Sequence, residues 1–103
     1  MDEQKQYRIE VLPAALSDID HIVDYLNTLS ERTAQNHMDK IINGIKSLCI
    51  FPLRCPPVKN ETYAKLGYHY LVISYYLAFF TVEGDAVIIR RIVDGRSDYT
   101  AQM

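Results

Sequence analysis

The chain has no surplus of positive charge, no long apolar run and almost no cysteine, and each shortage narrows what it can be. Lys and Arg total 11 against 13 Asp and Glu, for a formal net charge of −2. Proteins that live on nucleic acid or the ribosome usually hold a basic surplus, because neutralising phosphates supplies much of that affinity. The bulk charge argues against generic nucleic-acid binding and leaves room only for local basic patches. No run approaches the roughly 18 apolar residues of a spanning helix. The charged start, MDEQKQYR, lacks the apolar centre of a secretory signal. A cytoplasmic protein without a membrane partner is expected. Cys49 and Cys55 are the only cysteines, and in a reducing compartment they are expected as free thiols. No histidine neighbours them, and His21 and His37 fall on separate predicted helices without ligand spacing. No metal or other cofactor is expected. The sequence also shows no internal repeat, low-complexity tract or interdomain linker.

What is present is enough for one core. At 103 residues, 49% hydrophobic and 23% charged, the chain reads as a single domain over 1–103, large enough to fold without a staple. Tyr7 to Leu12 alternates, with Ile9 and Val11 on one face, and predicts a short strand. Pro13 stops it and suits the first turn of a helix. Leu16, Ile19, Val23, Leu26 and Leu29 then recur at steps of three and four, an amphipathic helix whose Asp18, Asp20 and Asp24 are expected to point away from the buried stripe. The acidic residues near its start are expected to suit the positive end of the helix dipole. Ser30 offers an N-cap. The pattern resumes at Ala34, Met38, Ile41, Ile45 and Leu48, with Ile42 and Cys49 widening the face. Gly44, mid-helix, is expected where a neighbouring element approaches closely. Phe51 and Pro52 end this second helix, and the two helices should form an antiparallel hairpin lying on a sheet. Leu53 to Leu66 should cross the surface as an irregular loop.

From Gly67 the chain turns to strand chemistry: GYHYLVISYYLAFFTVEGDAVIIRRIVDGRSDY. The apolar run to Val82 is too long for one strand, and it breaks best at Ser74 and Tyr75 into Tyr68–Ile73 and Tyr76–Val82. Glu83, Gly84 and Asp85 supply a turn, and a last strand runs from Ala86 to Val93. The fold class is α+β: strand, two-helix hairpin, then three antiparallel strands, with the helices packed on one face of a four-stranded sheet. The other face is expected to be open to a partner. Asp94 and Gly95 close the last strand, and Arg96, Ser97, Asp98 and Tyr99 follow as a polar cluster. Arg90 and Arg91, consecutive on a strand, should point to opposite faces. Seven aromatics lie between Tyr63 and Phe80; without interleaved basic residues they read as core packing rather than a base-stacking surface. Tyrosines left exposed on the uncovered face would suit docking of another protein.

The element order, the GYHYLVISYYLAFFTVEGDAVIIRRI run and the closing IVDGRSDY resemble the ParE/RelE superfamily of type II toxin-antitoxin toxins, over nearly the whole chain. Those toxins commonly end in a segment like R-hydrophobic-hydrophobic-H-G-R-R-D-Y. Arg91, Gly95, Arg96, Asp98 and Tyr99 match it, while Asp94 stands where histidine is frequent and Ser97 where a second arginine is. His69 stands where many members have arginine. The resemblance implies a growth-inhibiting toxin neutralised by a cognate antitoxin, with no direct sequence-specific DNA binding of its own.

The superfamily's branches differ in target. Toxins similar to RelE cut messenger RNA on the ribosome with sheet lysines and arginines and a carboxyl-terminal tyrosine or histidine. Toxins similar to ParE poison DNA gyrase. A RelE-like site would place arginine near Leu77 and lysines near Tyr68 to Tyr70, and this chain has neither. His69, Arg91, Arg96 and Tyr99 are what remains for catalysis if the chain were a ribonuclease, and the ParE-like branch is favoured. In that reading Arg91, Arg96, Asp98 and Tyr99 contact the target. The alternatives are the ribosome-dependent endoribonuclease and a non-toxic interaction module. Basic clustering of Arg91, Arg96 and Lys65 would favour the nuclease and their dispersal the binder. Structural roles stand beside these: Arg96 and Asp98 pairing to tie down the tail, Tyr99 packing on the sheet edge, and His69 as a hydrogen-bonded sheet residue.

Overall fold

The computed structural model describes residues 5–96. Asp98 and Tyr99 lie outside the described residues. Strand β1 (Arg8–Val11) leads into helices α1 (Pro13–Asn27) and α2 (Glu31–Ser47). A short 3-10 turn at Pro52–Arg54 and helix α3 (Glu61–Lys65) precede strands β2 (His69–Ile73), β3 (Tyr76–Glu83) and β4 (Ala86–Asp94). The sheet order is β1-β4-β3-β2, with β1 parallel to β4 and the other pairs antiparallel.

Local chemistry sets these bounds. Pro13 opens α1 at a position that needs no backbone donor. Ser30 caps α2 by accepting the Thr33 N–H at 3.2 Å. Ser74 and Tyr75 form a two-residue turn between Ile73 and Tyr76, with Ser74 at φ 56°. Gly84 does the same between β3 and β4 at φ 60°. A left-handed first position is what a tight hairpin of this hand requires. Past α2, the Arg54 guanidinium donates to the Ile50 and Phe51 carbonyls at 2.8 and 3.1 Å, a cationic cap over backbone acceptors at the helix end.

The helical hairpin packs on one sheet face over a core that includes Ile41, Leu48, Phe80, Val87 and Ile89, all fully buried. Fully burying a side chain of this size contributes roughly 1.5–3 kcal/mol. Gly44 lies where α2 meets β2. A Cβ there would fall 2.6 and 2.7 Å from Ile73 Cδ1 and Cγ1, so the close approach expected of this glycine is made to the sheet.

Several expectations are corrected. The buried stripe of α1 is Ala15, Ile19 and Leu26, whereas Leu16 and Leu29 are exposed. The helix is rotated so that small Ala15 lies against the core. Asp18 therefore turns toward the sheet, and α1 has no acidic residue in its first turn. The 53–66 stretch is partly ordered: Asn60 caps α3 by accepting the Tyr63 N–H, and residues 56–58 pair with the β2 edge through Val58 N–H to Tyr68 O and Tyr70 N–H to Pro56 O. This ordering closes much of the face expected to be open. Val58, Leu77, Phe79 and Val93 form a second buried cluster there, with Tyr63, Ala64, Tyr68 and Tyr70 packed against it. The tyrosines expected to await a partner are mostly spent covering that cluster.

The β3–β4 register carries a β-bulge. Phe79 opposes Arg91 and Phe80 opposes Ile89, which leaves Arg90 as the extra residue. Helix-facing positions on β4 therefore step by three, from Ile89 to Ile92, and the bulge re-aims the side chains that follow it.

Candidate functional site

The end of the sheet where β4 leaves the domain is assembled from two turns and the helical hairpin. The Ser74–Tyr75 turn projects Tyr75 outward, 55% exposed, and holds Tyr76 inward, 6% exposed. Gly95 N–H donates to Tyr75 O at 2.8 Å, tying the exit of β4 to that turn. Asp94 then organises Arg96: its carboxylate accepts the Arg96 backbone N–H at 2.8 Å, Nε at 3.1 Å and Nη2 at 2.8 Å. The guanidinium sits over the Tyr75 ring, 5.1 Å from its centroid. His37 of α2 stacks with Tyr75 at 6.3 Å, and its Nδ1 lies 2.9 Å from the Tyr76 hydroxyl. Beside this stack an open groove of about 510 Å³ is walled by His21, Ile22, Tyr25 and Leu26 of α1 and by Leu29 just past its end.

The electrostatics follow from these contacts. The Arg96 guanidinium, then its backbone N–H, hold the Asp94 carboxyl below the usual carboxylate range. The Asp94 carboxylate in turn raises Arg96. Burial, reinforced by the Asp94 charge, pushes the Tyr76 phenol up, with Arg96 opposing. Tyr76 is held as a neutral phenol and serves as a hydrogen-bonding group rather than a base.

The other predicted residues lie apart. Arg91 is bound to Asp18 of α1 through Nε to Oδ2 at 2.7 Å and Nη2 to Oδ1 at 2.8 Å, and hydrogen bonding by Asp18 raises its pKa. Arg90 donates from Nε to Thr81 Oγ1 at 3.0 Å and from Nη2 to Glu83 at 2.7 Å, and it lies over the Tyr68 ring. The two arginines thus diverge as expected, Arg91 to the helices and Arg90 to the second face. His69 is at the opposite end of β2 from the Tyr75 turn, four residues before Ile73, or about 13 Å at the rise of a strand. Its Nδ1 lies 2.9 Å from the Cys55 carbonyl, which fixes a proton on that nitrogen, and its ring stacks on Phe80. Lys65 ends α3, just before the same distal end of β2. The proposed Arg96–Asp98 pair involves a residue outside the described ones; within them Arg96 binds Asp94.

Sequence reasoning missed Asp18 and His37. A signal was available for both. Asp18 falls three residues after Ala15 and four before Ile22, and His37 falls three after Ala34 and four before Ile41, so each interrupts a buried helical stripe. Cys49 and Cys55 are free thiols. Among the described residues no cluster of His, Cys, Asp and Glu could hold a metal ion, and no helix is long and apolar enough to cross a membrane.

The family model described as the ParE toxin of type II toxin-antitoxin systems, parDE, matches residues 9–99. Among curated proteins no relative matches the chain. Among solved structures the chain is similar to one from the chromosomal ParDE toxin-antitoxin system of P. aeruginosa. That match has a TM-score of 0.74 at 22% identity over 87% of this chain and 97% of that one. It is also similar to a chain of the RelBE2 toxin-antitoxin complex of Mycobacterium tuberculosis, with a TM-score of 0.67 at 17% identity over 95% and 100% of the two chains. At these identities the structures share the fold.

Proposed function

The chain belongs to the ParE toxin family of type II toxin-antitoxin systems, and from there we propose that it arrests bacterial growth by binding DNA gyrase, without chemistry of its own, until a cognate antitoxin neutralises it. The observation that carries this reading is the dispersal of the groups a nuclease would need together. Cleaving RNA requires a base for the ribose hydroxyl, a cation for the developing phosphorane charge and an acid for the leaving oxygen, all within hydrogen-bond reach of one phosphate. Here Arg91 is turned to Asp18, Arg90 to Glu83 and Arg96 to Asp94. His69 donates to a backbone carbonyl on the far end of the sheet. Such an arrangement suits a surface recognised by shape.

In this reading the target meets the end of the sheet. Arg96, with its side chain 72% exposed, leads into Asp98 and Tyr99, and these three make the contact. Arg91 sets the direction of the last strand through Asp18 and lends the rim its remaining exposed surface.

The test is pulse labelling of DNA and protein synthesis in bacteria minutes after the chain is induced without antitoxin. Early loss of DNA synthesis with translation continuing is expected. Early loss of translation would instead favour ribosome-dependent cleavage, and no effect on either would remove the toxin activity.

A further inference from the structure

Toward the opposite end of the sheet, where the chain past α2 meets the start of β1, lies a separate groove of about 410 Å³. Its lining is Lys5, Tyr7, Phe51, Pro52, Leu53 and Arg54, none of which belongs to the site described above. Phe51 is held in the left-handed region at φ 49° and ψ 54°, where glycine or asparagine would sit with less strain. What that turn gives the fold is the aim of the Ile50 and Phe51 carbonyls at Arg54, and backbone alone supplies it. The ring adds little to the core: it is 61% exposed, and Leu53 of the same groove is 60% exposed. A strained backbone that presents an aromatic ring to solvent, next to a second exposed apolar side chain, points to a contact made outward.

The cations of this groove have no carboxylate partner. Lys5 Nζ lies over the Tyr7 ring, 4.8 Å from its centroid, and Arg54 donates only to neutral oxygens of Ser47, Ile50 and Phe51. Neither is ion-paired among the described residues, whereas Arg8, Arg90, Arg91 and Arg96 each are. Two such basic rims would repel, which disfavours a second copy of this chain. A concave apolar floor suits an inserted side chain better than it suits a bilayer surface. The chemistry called for is a protein segment with an apolar anchor and carboxylates beside it.

We propose that this groove is a second anchor for the target, seating an acidic segment of gyrase with an apolar side chain against Phe51 and Leu53 and carboxylates on Lys5 and Arg54. The proposal rests on the reading above, in which gyrase is bound without chemistry, and deepens it by adding a contact surface. A toxin that acts by binding alone must hold its target by surface, and a stable interface engages roughly 20–30 residues a side. Arg96, Asp98 and Tyr99 supply three. Tyr7 precedes Arg8, which pairs with Ala86 at the start of β4, so the groove stands roughly 25 Å from the other end of that strand at the rise of a β-strand. Two anchors so far apart fix the orientation of the toxin on its target as well as its affinity.

The experiment measures binding of the full chain to purified gyrase holoenzyme by biolayer interferometry. It compares wild type with Phe51→Asn, Leu53→Ser and Lys5→Glu, and with Leu16→Gln, 51% exposed on α1, as a control. Phe51→Asn and Leu53→Ser should each weaken binding about 10-fold or more, as expected for interface anchors. Lys5→Glu should weaken it by an amount that shrinks as salt rises, and Leu16→Gln should bind as wild type. Phe51→Asn should also melt at or above the wild-type temperature, because asparagine relieves the left-handed strain. Affinity and stability moving in opposite directions is the signature a structural role for the ring would not give. Phe51→Asn binding gyrase like wild type, or melting well below it, would overturn the proposal. So would loss of binding to the cognate antitoxin, to a second copy of the chain or to phosphatidylglycerol vesicles in the same variants while gyrase binding stays intact, since each names a different occupant. A wild-type chain that does not bind gyrase at all would bring down the target reading and this anchor with it, a result told apart from loss of the anchor alone by the missing wild-type signal.

Discussion

Arg91 and Asp18 join the last strand to the first helix across 73 residues of sequence, with two charge-assisted hydrogen bonds of 2.7 and 2.8 Å. The same Asp18 carboxylate accepts the Ile92 backbone N–H at 2.9 Å. Strand β1 ends its pairing with β4 at Ile89, so beyond that point β4 has no strand partner on this side among the described residues. Asp18 supplies the acceptor that a longer β1 would have provided. The β-bulge at Arg90 comes immediately before this contact. Bulge and carboxylate together set the direction in which the chain leaves the sheet toward Arg96.

Removing Asp18 should therefore cost more than a surface ion pair. Its side chain is 13% exposed and that of Arg91 31%, and Asp18→Ala leaves both a partly buried guanidinium and a strand N–H without this acceptor. A loss of about 2–3 kcal/mol is expected, less than for a fully buried pair. Urea unfolding of wild type and variant checks it, and a change below about 0.5 kcal/mol would count the contact as a surface pair.

Gly44→Ala sets two effects against each other. Alanine gains up to about 1 kcal/mol in helix propensity. The new methyl would meet Ile73 at 2.6 and 2.7 Å, and Ile73 is 6% exposed with little room to move. Overpacking costs roughly 1–3 kcal/mol, so net destabilisation is expected. The cost should shrink in an Ile73→Val background, where Cδ1 is gone. Equal cost in both backgrounds would show that the strain lies elsewhere.

Local chemistry was the legible part. Ser30, the Ser74–Tyr75 break and Gly84 could be placed because a cap or a tight turn depends on adjacent residues alone. Gly44 could be read as a close approach because nothing else explains a mid-helix glycine, although its partner Ile73 could not be named. What could not be read was long-range. Asp18 looked like one of several solvent-facing acids because its partner is 73 residues away. The second face looked open because the proline-bearing segment gives no periodic signal, yet Val58 fills a buried site on that face. Tyr75 and His37 meet only through the packing of α2 on the β2–β3 turn. The dispersal of Arg90, Arg91, Arg96 and His69 is equally a product of register, and the bulge that separates the first two has no signature in the run IIRRIV.

The Asp94–Arg96 turn carries a pH dependence of definite sign. The folded carboxyl titrates below its ordinary value of about 3.9, chiefly because the Arg96 guanidinium bonds to its charged form. Its stabilisation is therefore present above that ordinary value and is lost as pH falls through the lower folded one. In Arg96→Gln the Asp94 titration should move up toward the ordinary range, but not the whole way, because the backbone N–H bond from residue 96 survives. Carbon-13 titration of the Asp94 carboxyl measures this directly. Identical titration in both proteins would assign the depression to the backbone bond.

His69 offers the sharpest separation between a toxin that binds and one that cuts. Its Nδ1–H donates to the Cys55 carbonyl at 2.9 Å, and the amide nitrogen of asparagine falls close to where Nδ1 stood. His69→Asn should keep this hydrogen bond, lose the stacking on Phe80, and cost about 1 kcal/mol of stability. It removes the one imidazole on the sheet that could transfer a proton. The arrest of DNA synthesis should persist in this variant and disappear in Arg96→Glu, with both proteins folded by circular dichroism. Arrest abolished by His69→Asn at unchanged fold would give that ring a chemical role, and the gyrase-binding reading would yield to cleavage. Arrest untouched by Arg96→Glu would move the target surface away from the end of the sheet.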